Sequence, residues 1–173
     1  MKNSKLIILS FFVFTFLGYG QPTATTPKTI ENSLRQKEEM YKNSFVKNIS
    51  FETIGPNVMS GRVTDLAVNP ENPTEFYVAY ASGGLWHTIN NGTTFSPILD
   101  NANTQNIGDI AVDWNNKTIW VGTGENNASR SSYAGIGILK STDNGKSWNN
   151  MGLMDSHHIG RILINPNNTD EVT

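Results

Sequence analysis

The chain contains no cysteine among its 173 residues. That absence excludes a disulfide framework, thiol nucleophiles and cysteine-ligated metal centres. Charge is also scarce: 16% of residues are Asp, Glu, Lys or Arg, and the net charge is −2. Such a balance provides no basic footprint for nucleic acid or an anionic membrane. Histidine occurs three times. His157 and His158 are adjacent rather than at i, i+4, so no metal site is expected, and no cofactor motif is present. The one long apolar run, Leu6 to Leu17, falls short of the roughly 20 residues that span a bilayer.

That run is informative for another reason. Lys2 and Lys5 precede it, and Gly18-Tyr19-Gly20 follows with small residues at the two positions a signal peptidase reads. Residues 1–20 therefore read as a cleavable signal peptide with Gln21 as the mature start. Loss of the two lysines makes the mature charge about −4. No cysteine stands near the cleavage point for lipoprotein anchoring, and an exported chain without disulfides suggests bacterial secretion or a periplasmic location. No stable membrane anchor remains after cleavage. Residues 21–50 read as a linker and a short helix over Thr29 to Asn43, with Ile30, Leu34 and Tyr41 near one face.

What is abundant is repetition. Ser141-Thr142-Asp143-Asn144-Gly145-Lys146-Ser147-Trp148 fits the Asp-box pattern S/T-x-D/N-x-G-x-T/S-W/F, and a degenerate copy starts 53 residues earlier at Thr88. In that copy Asn90, Gly92 and Phe95 take the places of Asp143, Gly145 and Trp148. The Asp or Asn side chain can fold back onto backbone amides, the Gly can take positive φ, and the aromatic can pin the next strand to the core. These eight positions are structural rather than catalytic. Around them lie matching strands. Val63–Pro70, Ile107–Trp114 and Ile159–Pro166 are each a short apolar strand closed by a turn, and Glu75–Tyr80 is answered by Lys117–Gly122. Four strands per repeat of about 45 residues is the rhythm of propeller blades.

The expected fold is therefore all-β: a β-propeller of four-stranded antiparallel blades. Blade 1 covers about 51–100, blade 2 about 101–152, and the start of blade 3 about 153–173. Propellers close with about four to eight blades, so the chain reads as the N-terminal part of a longer protein.

Candidate site residues fall in two places. Ten residues separate Val78 from Thr88, but twenty separate Val121 from Ser141. The insertion fits Glu125 to Ala134, on the face opposite the Asp-box turns, where long polar loops concentrate binding residues. Glu125, Asn126, Arg130 and Tyr133 are candidates for ligand contact, against the alternative of a solvated decorating loop. Asp65, Asp109 and Arg161 occupy equivalent positions on successive innermost strands. They could present charge to a ligand at the channel mouth, or a carboxylate pair could act on a glycosidic bond if roughly 5–9.5 Å apart. Equally, they could cap strand ends by binding neighbouring backbone. Other motifs fail: Lys140 stands where a phosphate loop ending in Gly145-Lys146-Ser147 needs glycine. The four tryptophans read as core residues, with Trp114, in a turn, the most exposed.

Ile54-Gly55-Pro56, Ser60-Gly61-Arg62-Val63, Ala81-Ser82-Gly83-Gly84-Leu85-Trp86, Val121-Gly122-Thr123-Gly124-Glu125-Asn126 and the box at Ser141 to Trp148 resemble BNR/Asp-box propellers. The resemblance is nearest to the sortilin-type N-terminal propeller domains of exported bacterial proteins, and it covers roughly residues 51–173. The superfamily it implies includes sorting receptors, sialidases, xyloglucan-cleaving hydrolases and assembly factors. Xyloglucan-cleaving relatives place a catalytic Asp in a first-blade D-x-G-G string, where this chain has Ala81. The R-I-P string of sialidases is absent, since Leu163 follows Arg161-Ile162. The resemblance thus implies a scaffold that binds a protein or glycan through the face opposite the Asp-box turns. The alternatives are part of a xyloglucanase-type glycoside hydrolase, disfavoured by Ala81, and an envelope protein assembly factor.

Overall fold

A computed structural model describes residues 23–51, 61–126 and 132–173. The expected signal peptide and Arg130 lie outside these described residues. Among the described residues one helix, α1 (Pro27–Lys42), leads the fold. Thr26 caps it, its hydroxyl accepting from the Thr29 amide at 3.3 Å, and Pro27 begins the first turn, where a missing N–H is harmless. The helix starts two residues before the expected Thr29, and none of its residues is buried. Ile30 and Leu34 are half-buried, but Tyr41 is 65% exposed and donates its hydroxyl to the Lys47 carbonyl at 3.3 Å. The helix touches the blades through Lys37 Nζ, 2.5 Å from Asn103 Oδ1. Among the described residues no helix is long and apolar enough to cross a membrane.

Two four-stranded antiparallel sheets follow. The first pairs β1 (Val63–Val68), β2 (Phe76–Tyr80), β3 (Gly84–Thr88) and β4 (Ser96–Pro97) in sequence order. The second pairs β5 (Ile107–Asp113), β6 (Thr118–Thr123), β7 (Ile138–Ser141) and β8 (Asn149–Asn150) in the same order. A third sheet holds β9 (Ile164–Asn165) and β10 (Asn168–Val172). The first strand expected for blade 3 was Ile159–Pro166; regular pairing covers only its end, Ile164–Asn165. Ile159 and Ile162 give their amides to Thr123 and Asp109 of the preceding blade, as Ile107 and Ile110 give theirs to Ala81 and Asp65. The hairpin is closed by reciprocal backbone bonds between Leu163 and Thr173.

The innermost strands β1, β5 and β9 lie side by side. This radial order puts the cores between sheets rather than within them. Tyr77, Ala79 and Leu85 of the first blade pack with Ile107, Ile110, Ile119, Val121 and Leu139 of the second. Trp120 with Ile159 and Ile162 forms a smaller cluster against the third. Each sheet is apolar on both faces only where it has a neighbour. On β1, Leu66 and Val68 point away from the second blade and are 52% and 43% exposed.

The two repeated turns close with one hydrogen-bond pattern. Gly145 N donates to Ser141 Oγ at 2.8 Å and Ser147 N to Asp143 Oδ1 at 2.9 Å. In the first copy Gly92 N donates to Thr88 Oγ1 at 3.0 Å and Thr94 N to Asn90 Oδ1 at 2.9 Å. The pairs Asn91-Gly92 (φ 55, 80) and Asn144-Gly145 (φ 60, 82) are both left-handed, which Asn and Gly tolerate best. Phe95 meets Phe76 edge-on at 6.0 Å. Trp148 instead reaches the first blade, donating Nε1 to the Ile98 carbonyl at 2.9 Å. The hydroxyl and amide of Ser147, followed by the Ser141 hydroxyl, hold the Asp143 carboxyl at about 2.

Candidate functional site

Strand direction separates two faces. The box turns and the β1–β2, β5–β6 and β9–β10 turns emerge on one; the β2–β3 and β6–β7 connections and the crossings between blades emerge on the other. The sequence candidates cluster on the second face.

Asp65 and Asp109 each follow a register break, between Val63 and Asp65 and between Ile107 and Asp109. A bulge of this kind re-aims the next side chain. Here it turns each carboxylate toward the following blade. Asp65 Oδ2 accepts from Ile110 N at 3.1 Å, and Asp109 Oδ2 accepts from Ile162 N at 2.6 Å. Asp65 Oδ1 also accepts from Leu66 N at 2.8 Å. Asp109 is 5% exposed. Burial raises its carboxyl above the ordinary range, and the negative charge of Asp65 nearby adds to this, opposed by the Ile162 amide and Arg161. The third member of the ring, Arg161, is exposed; it has no acidic counterpart to continue the pattern.

At the insertion the structure brings together residues that the sequence reading kept apart. Glu125 is 3% exposed and pairs with the Arg62 guanidinium of the first blade. Its amide donates to the Tyr133 carbonyl at 3.0 Å, which ties the two ends of the loop. Asn126 Nδ2 donates to Gly160 O at 3.2 Å and Asn106 Nδ2 to Ala134 O at 3.1 Å. Tyr133 is 51% exposed above this base. Glu125 is thus a strut between blades, Asn126 braces the approach to the third, and Tyr133 faces solvent.

Sequence reasoning named neither Arg62 nor Thr123 as site residues. Thr123 is fully buried; its hydroxyl accepts from Ile136 N at 2.7 Å and donates to Gly137 O at 2.5 Å. The signal was present in the Gly61-Arg62 and Thr123-Gly124-Glu125 strings, but their pairing is across blades and invisible along the chain. Ala81, in the D-x-G-G position, is 2% exposed. Trp114, expected to be the most exposed indole, is half-buried and stacks on Tyr77 at 5.2 Å. Among the described residues no group of three or more His, Asp or Glu side chains is arranged to hold a metal ion.

No protein-family model and no curated protein matches the chain. Solved structures do. The crystal structure of an ancestral GH74 enzyme superposes with a TM-score of 0.54 and 20% identity, over 67% of this chain and 16% of that one. The GH74 enzyme of Niastella koreensis aligns at 24% identity and a TM-score of 0.47, over 60% of this chain and 16% of that one. The chain therefore spans about a sixth of the length of these enzymes. The likeness is one of fold: two sheets of this chain are four-stranded antiparallel blades of a β-propeller and the third is the two-stranded part of another.

Proposed function

We propose that this chain is part of an exported propeller of the Asp-box type, a scaffold that binds a protein or glycan through the face bearing the insertion. The observation that carries this reading is the loop's foundation. Two ties across blades, Arg62–Glu125 and Asn126–Gly160, and one within the second blade, Asn106–Ala134, hold its ends while Tyr133 is left in solvent. Rigid support beneath an exposed aromatic is the arrangement that gives contact area at small entropic cost.

The carboxylate pair favours binding over hydrolysis. Glycosidase carboxyls flank a bond with their oxygens free for the substrate, whereas Asp65 and Asp109 each spend an oxygen on a backbone amide of the next blade. The test uses the full-length exported protein with xyloglucan oligosaccharides and a reducing-sugar assay. Tyr133→Ala is expected to lower affinity at least tenfold, with no sugar released by either form. Turnover that disappears in Asp65→Asn with Asp109→Asn while binding persists would replace the scaffold by a hydrolase. Retention of an envelope protein client, indifferent to added sugar, would point to an assembly factor.

A further inference from the structure

A cavity of about 310 Å3 opens on the opposite face, where the inner hairpin turns of all three blades converge. Pro70, Glu71, Trp114, Asn115, Pro166 and Thr169 line it. Its size lies at the lower end of the roughly 300–1,000 Å3 that small-molecule sites occupy. It is separated by the length of the strands from the insertion and from the Asp65–Asp109 pair.

The walls are preorganised. Trp114 stacks on Tyr77 at 5.2 Å, and Tyr77 in turn stacks on His87 at 4.3 Å and 16°. Tyr77 is 2% exposed, so the indole rests on a fixed aromatic column. Beside it Asp113 is locked: its Oδ1 accepts the Asn115 and Asn116 amides, both at 3.1 Å, and its Oδ2 accepts Asn116 Nδ2 at 2.7 Å. Asn116 Nδ2 also bridges to Thr169 Oγ1 of the third blade at 3.3 Å. The turn carrying Trp114 is therefore tied on both sides.

Three polar groups remain uncommitted. Trp114 Nε1, the Glu71 carboxylate and the Asn115 side-chain amide make no hydrogen bond among the described residues. They supply a donor, an acceptor and a group that does both, around prolines and an indole. No lysine or arginine is among the described residues lining the cavity, and Glu71 and Asp113 oppose an anion. Apolar C–H faces with hydroxyls that both give and accept are the properties of a neutral sugar. We propose that this cavity is a second ligand site, on the face of the box turns, for a neutral pyranose unit. Trp114 provides the platform, and Glu71 and Asn115 take the hydroxyls.

The experiment is calorimetric titration of the full-length protein with cellotriose and maltotriose, with spermidine as a cationic control. Glu71→Ala with Asn115→Ala, both exposed positions, is expected to weaken sugar binding at least tenfold while the melting temperature holds. Trp114→Phe, which keeps the stack but removes the N–H, is expected to weaken it less. Failure of either trisaccharide to bind, binding indifferent to the Glu71/Asn115 double variant, or preference for spermidine would each overturn the proposal.

Discussion

At the scale of single residues, Asp65 and Asp109 show how one side chain type joins sheets that share no ladder hydrogen bonds between inner strands. Each sits after a bulge and captures an amide 45 or 53 residues further along. Removing the acceptor leaves a buried amide unpaired, which costs about 1–3 kcal/mol. Asp109→Ala is therefore expected to lower stability by that amount in urea unfolding. Asp109→Asn keeps a carbonyl for the Ile162 amide and removes the charge. The Asp109 carboxyl is raised in the fold, so the folded state holds its proton more firmly than the unfolded chain. Its contribution is present at low pH and is lost as pH rises through the raised value, above the ordinary 3.9 or so. The Asn variant is expected to lack this loss, so the difference between its urea midpoint and that of the parent should change sign or shrink toward acid. A difference that is flat from pH 3 to pH 7 would contradict the assigned burial of charge.

At the scale of elements, the docking of the third blade depends on glycine. A side chain at Gly108 would strike the Ile159 carbonyl, one at Gly122 the Ile159 side chain, and one at Gly124 the His157 carbonyl. Gly124 also has φ 88. Together they form a flat seat for residues 157–162. Gly124→Ala is expected to cost about 1–3 kcal/mol by overpacking and backbone strain and to expose the Trp120 cluster, seen as a red-shifted tryptophan emission. An unchanged spectrum and midpoint would show that the seat is not needed. Strands, box turns and blade period were legible along the chain because each is written locally, in alternation or in an eight-residue turn. The seat was not, since Gly108, Gly122 and Gly124 gain meaning only from a segment some 35–50 residues away. For the same reason the pairing of Glu125, a candidate for ligand contact, with Arg62 of the first blade could not be read along the chain. Trp114 read as exposed because its stacking partner, Tyr77, lies on another blade.

At the scale of the whole molecule, apolar surface is distributed by neighbourhood. The second blade is covered on both faces, whereas β1 turns Leu66 and Val68 to solvent at 52% and 43%. An exposed strand face of this kind favours association. Residues 23–173 produced alone are expected to self-associate with concentration in sedimentation velocity, and Leu66→Lys with Val68→Lys to restore a monomer. Monomeric behaviour of the parent segment at high micromolar concentration would argue against it. The carboxylate hand-off between blades has a further consequence. At both junctions the earlier blade carries the acceptor and the next supplies the donor, so each has a sense, running from N-terminus to C-terminus. A ribosome releases the chain in that same sense. The acceptor of each junction is thus made before its donor, and the two junctions can close in order, as a vectorial zipper rather than a search among equivalent partners.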